Sequence, residues 1–88
     1  MNKFLIRMMI YEEDKDYPSV ICGFYSTKIT ELLKLYITAK ECEIPIKVDN
    51  YSSMINSKFC DKEDYIVENI DIDFGTENSF TTLNIYVK

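Results

Sequence analysis

The chain reads as a small α+β domain: a mainly antiparallel sheet of four to five strands, in the order β-β-α-β-β-β, with one amphipathic helix packed on a face. Three observations predict it. Apolar residues alternate with polar ones over several short runs, the period of a half-buried strand. One stretch in the middle of the chain instead repeats at the helical period. The 88 residues, 47% of them hydrophobic with only two Gly and two Pro, make a single domain spanning 1–88 that is neither disordered nor a linker.

Lys3 to Tyr11 is the first strand, closed by Glu12-Glu13-Asp14-Lys15-Asp16 and Tyr17-Pro18. It is no signal peptide, because Arg7 interrupts the apolar run and acids stand where a small-residue cleavage site belongs. Ser19 to Tyr25 pairs with it as a hairpin, Gly23 marking a bulge or a close approach. Ser26 or Thr27 then caps a helix in which Ile29, Leu32, Leu33, Tyr36 and Ile37 share one face and Lys28, Glu31, Lys34, Thr38 and Glu41 the other. The helix stops near Cys42, because Pro45 lacks a backbone donor and biases Ile44 away from helical angles.

Ile44, Ile46 and Val48 alternate with Pro45, Lys47 and Asp49 as a short edge strand. Periodicity fades over 50–64, where Met54, Ile55, Lys58 and Phe59 match a short helical turn capped by Ser52 or Ser53. Tyr65 to Phe74 turns Ile66, Ile70, Ile72 and Phe74 to one side and Tyr65, Asn69, Asp71 and Asp73 to the other. After the turn Gly75-Thr76-Glu77-Asn78-Ser79, the last strand sets Leu83, Ile85 and Val87 opposite Thr82, Asn84 and Tyr86.

Function is bounded first by what is missing. No histidine is present, so no His-activated nucleophile and no His metal ligand exist within the chain, and no enzyme is expected. Cys22, Cys42 and Cys60 show no CxxC spacing, and read as free thiols of a reducing cytoplasm. Two glycines cannot build a phosphate-cradling loop. Asp71-Ile72-Asp73 and Asp61-x-Glu63-Asp64 lack the register of an EF-hand, so no metal and no cofactor is expected. No apolar stretch approaches the ~18 residues of a membrane span.

Charge is the positive signal. Ten basic and fifteen acidic residues leave a net −5, which disfavours direct nucleic-acid or anionic-membrane binding and favours a protein with a basic surface. All of it sits in 61–88, where Asp61, Glu63, Asp64, Glu68, Asp71, Asp73 and Glu77 face only Lys62 and Lys88. Asp71 and Asp73, two apart on a strand, project from one face roughly 6.5 to 7 Å apart, near the spacing of successive phosphates. Acids beside turns and on hairpin faces also serve simply to keep a small sheet soluble and its edges unpaired. A second acidic group, Glu12, Glu13, Asp14 and Asp16, joins the same surface if the loops lie at one end. Tyr11, Tyr17, Tyr25, Tyr51, Tyr65 and Tyr86 fall at strand ends and in loops, where half-exposed rings anchor interfaces or cover the core rim.

Ile, Lys, Asn and Tyr supply 34 of the 88 residues, a usage that favours AT-rich codons and points to an AT-rich bacterium or its phages. In size, acidity and coding signature the chain resembles the small inhibitors of phages and mobile elements, of the anti-CRISPR and anti-restriction kind, without sharing a motif with them. The resemblance implies a non-catalytic protein of the host-cell cytoplasm that occupies the nucleic-acid groove of a nuclease complex, its seven acids standing where phosphates lie. Two other functions fit the same composition. One is a homo-oligomer holding a small ligand such as a signalling nucleotide; the other is a structural or regulatory adaptor using an apolar helix or a strand edge. A homodimer is an assembly that so small a core favours.

Overall fold

The computed structural model describes residues 3–48, 54–59, 64–76 and 80–88. Its strands are β1 (Phe4–Ile10), β2 (Ser19–Ser26), β3 (Met54–Ile55), β4 (Val67–Asp73) and β5 (Thr82–Val87); the helix α1 (Ile29–Glu41) follows β2, and a 3-10 turn (Ser57–Phe59) follows β3. The sheet order is β3-β2-β1-β5-β4, with β1 and β5 parallel and the other three pairings antiparallel. This is the small α+β domain that the alternation predicts, four main strands with a two-residue edge strand and one helix.

Alternation sorts the sheet into two faces. Ile6, Met8, Cys22, Leu83, Ile85 and Val87 point to one side and are all at most 2% exposed, forming the core with Tyr36 and Ala39 of α1. Burying each of the larger aliphatic side chains contributes about 1.5–3 kcal/mol, so this layer dominates the stability. Partly buried Ile29, Leu32 and Leu33 complete the helical contact, while Lys28, Glu31, Lys34, Thr38 and Glu41 face water. Ile37 was expected on the buried stripe and is 40% exposed. At 100° per residue it falls roughly 100° from the centre of the stripe, and the small Ala39, 3% exposed, occupies the contact instead.

The helix ends are built from local chemistry. Ser26 Oγ accepts the Lys28 N–H at 3.0 Å, so the serine folds the turn just ahead of α1, which begins at Ile29 without a side-chain cap. At the other end the Ile44 N–H donates to Ala39 O (2.9 Å) and the Glu43 N–H to Lys40 O (3.4 Å), with Glu43 in the left-handed region at φ 52°. That is a Schellman stop with a glutamate where glycine is favoured, and Pro45 follows two residues on. The helix therefore ends where the sequence places it, near Cys42.

Four expectations need correction. The segment 44–48 makes a single bridge, Ile46 to Tyr65, with both N–H···O bonds at 2.8 Å; the edge of β2 is taken by Met54–Ile55 instead. The next donor on that side of the segment, the Ile44 N–H, is already given to Ala39 O at 2.9 Å. Tyr65, expected on the outer side of its strand, is fully buried, its hydroxyl donating to Phe59 O at 3.0 Å. An amphipathic ring enters the core when its hydroxyl finds a carbonyl there. The β1–β2 bulge lies at Ile21 rather than Gly23, which pairs with Arg7 on one side and Met54 on the other. A second register shift, between Val67 and Asn69, leaves Glu68 as the extra residue of β4. The 54–59 stretch is part strand and part 3-10 turn, and its suggested caps Ser52 and Ser53 lie outside the described residues.

No described helix is long and apolar enough to cross a membrane.

Candidate functional site

The helix covers one face of the sheet; the other carries the chemistry. Cross-strand registers set its rows: Tyr25, Leu5, Thr82 and Asp73 in one, Gly23, Arg7, Asn84 and Asp71 in the next, Val20, Met9, Tyr86 and Asn69 in the third. The middle row is polar. The Arg7 Nε–H donates to Asn84 Oδ1 at 3.0 Å, which holds the guanidinium against β5 and satisfies an amide that is only 4% exposed. A charged donor makes this bond stronger than a neutral one.

Aromatic pairs stand at both ends of these rows. Tyr11 stacks on Tyr86, with ring centroids 5.8 Å apart and planes 15° apart, and Tyr25 meets Phe80 at 5.2 Å in a tilted contact. Tyr11, Tyr25 and Phe80 are each about half exposed, as is usual for rings at an interface rim. Burial raises the Tyr86 hydroxyl above its ordinary value, the Tyr11 ring and Asp71 adding to the rise while Arg7 opposes it. Tyr86 therefore stays a neutral hydrogen-bonding group across the physiological range.

The acids distribute unevenly. Asp61, Glu63 and Glu77 lie outside the described residues. Asp64, Glu68, Asp71 and Asp73 are all exposed, and the last three belong to β4, an edge strand of the sheet. Asp71 and Asp73 share the open face; Glu68, displaced by the bulge, approaches Lys88 at 3.8 Å. Among the described residues Asp64, Asp71 and Asp73 have no ion-pair partner.

The first acidic loop behaves differently. Glu12 binds Lys15 at 2.9 Å, also pairs with Lys58, and accepts from the Ser19 hydroxyl at 3.1 Å. Lys58 and then Lys15 hold its carboxyl down to about 2 from the usual 4.5. Glu12 in turn raises Lys15 above its ordinary value. This carboxylate ties the β1–β2 loop to the 3-10 turn after β3, on the side of the sheet away from β4. With its charge matched by two lysines, Glu12 adds no open charge to the β4 acids.

Among the described residues no three His, Cys, Asp or Glu side chains gather as a metal site. Cys22 is buried in the core and Cys42 is exposed at the end of α1, while Cys60 lies outside the described residues. Of the tyrosines singled out from sequence, Tyr11, Tyr25 and Tyr86 reach the open face, Tyr17 is exposed in the loop, Tyr65 is in the core and Tyr51 is not described. The pair that organises the face, Arg7 and Asn84, was not singled out. Its signal was present: the chain's one arginine sits between Ile6 and Met8, and Asn84 alternates with Leu83 and Ile85. Comparison of the chain with protein-family models, with curated protein sequences and with solved structures returned no match.

Proposed function

We propose that this is a non-catalytic binding protein that docks on a partner with a basic surface, and that the partner is a nucleic-acid-processing complex whose groove it blocks. The observation that carries the reading is the pair Asp71 and Asp73, exposed and without ion-pair partners among the described residues, on the open face of an edge strand. Two carboxylates roughly 6.5 to 7 Å apart offer a basic groove the charge spacing it meets along a phosphate backbone. Asp64 and Glu68 continue the charge toward the start of β4. The exposed rings beside them supply contact area at low conformational cost.

A second reading rests on a different observation. The same face carries Arg7 and two aromatic pairs, a composition typical of protein interfaces whose affinity is not chiefly electrostatic. It makes the chain an adaptor that needs no groove.

Salt separates the two. Immobilised native chain and its D71K/D73K variant are exposed to a lysate of an AT-rich bacterium, and bound protein is eluted with rising salt or with DNA or RNA. The proposal expects a nucleic-acid enzyme that salt and nucleic acid both displace and that the variant fails to retain, binding being steeply weakened by charge reversal. A partner held through high salt and indifferent to D71K/D73K overturns it in favour of the adaptor.

A further inference from the structure

We infer that the open face of the sheet is self-complementary and that a second copy of this chain occupies it, face to face, about a two-fold axis running along β5. Arg7 on β1 and Asp71 on β4 stand in the same cross-strand row, on either side of Asn84. Each is therefore one strand, ~4.8 Å, from β5, and the two are about 10 Å from each other. Asn84 holds Arg7 by its Nε, and among the described residues neither Arg7 nor Asp71 has an ion-pair partner. The open face thus displays Arg7 and Asp71 symmetrically about β5, with Asp73 further along β4, and among the described residues no ion pair neutralises any of the three.

A half-turn about an axis along β5, midway between two stacked sheets, lays β1 of one copy over β4 of the other and leaves heights along the strands unchanged. Arg7 then meets Asp71 of the second copy, and Asp71 meets its Arg7, two equivalent contacts from one patch. Half-buried Leu5 and Tyr86 flank them with apolar area in the spacing of sheet-on-sheet packing. The other route, joining two β4 edges, is opposed by charge: Glu68, Asp71 and Asp73 of one strand run against the same acids of its copy.

The inference does not depend on the proposed basic partner, with which a dimer competes for Asp71. Its test accordingly uses the purified chain alone. Sedimentation from low to high micromolar concentration should give a reversible dimer that weakens with added NaCl. R7E and D71R should each raise the dissociation constant roughly ten-fold or more, because each sets like charges together twice. An equimolar mixture of the two variants places opposite charges at both contacts and should restore association as a heterodimer. A native chain that stays monomeric throughout overturns the inference, as does a dimer that D71R leaves undiminished. So does a mixture that remains monomeric while both variants keep the native circular-dichroism spectrum. If R7E fails to fold, D71R at its exposed edge position decides the matter by itself.

Discussion

The two faces of the sheet use the same strands and obey opposite rules. Beneath α1 the inward positions of β1 and β5 are apolar, and Ile6, Met8, Leu83 and Ile85 at their centre are almost completely shielded from solvent. On the open side the intervening residues of those strands include Arg7, Asn84 and Thr82 among Leu5, Met9 and Tyr86. Asn84 is as buried as much of the core, and its side-chain oxygen accepts from the Arg7 guanidinium. Burial by itself therefore does not mark the helix-covered face; what marks it is apolar packing, where the other face holds a charge-assisted hydrogen bond.

Truncation should separate the faces most sharply. I85A removes a fully buried side chain from the covered layer and is expected to cost about 2–5 kcal/mol in urea unfolding. L5A, at a half-buried position of the open face, should cost clearly less. Equal losses would break the distinction.

The polar row gives the next effect in size. R7M leaves the Asn84 carbonyl oxygen buried without its donor, an expected loss of about 1–3 kcal/mol. The double variant R7M/N84L replaces both partners with apolar groups and should recover most of it, because the folded state then has no unsatisfied amide. Recovery would show that the pair is kept for something other than stability; its absence would make the row a structural element like the core.

The smallest effect lies in the β1–β2 loop, where charge is paired instead of open. The Glu12 carboxyl is held at about 2, below its ordinary 4.5, so as pH falls the unfolded chain takes up the proton first. Its contribution is whole above pH 4.5 and is lost as pH falls toward 2. Melting temperature followed by circular dichroism should therefore drop less steeply across that window in E12Q than in the native chain. Parallel acid profiles would mean that the Glu12 pairs contribute nothing to the fold.

Much of this architecture is legible residue by residue. The apolar run around Ile6, the period-2 run around Ile85 and the 3.6-residue stripe through Leu32 and Tyr36 each follow from the geometry of one element, and all three appear where they are read. What escapes is pairing across distance. Tyr65 looks like an outward residue because alternation places it beside Asn69, Asp71 and Asp73, but the Glu68 bulge shifts the register between them. Ile46 looks like part of a strand because nothing local says that only one ladder step is available to it. For the candidate site, the exposure of Asp71 and Asp73 follows from alternation, whereas their closeness to Arg7 depends on a strand 77 residues away in sequence from Arg7 lying beside it.

The sequence alone determined the fold class, the helix and its stop at Cys42, the hairpins at either end and the concentration of negative charge after residue 60, because each is set by neighbours within a few residues or by composition. Tertiary structure alone decided that β5 inserts parallel between β1 and β4, that Asn84 meets Arg7, and that Glu12 pairs with Lys15 and Lys58 while Asp71 and Asp73 stay exposed. Those outcomes depend on which strands become neighbours. That choice is made by the joint burial of one apolar face under the helix, a global term that no local window of sequence contains.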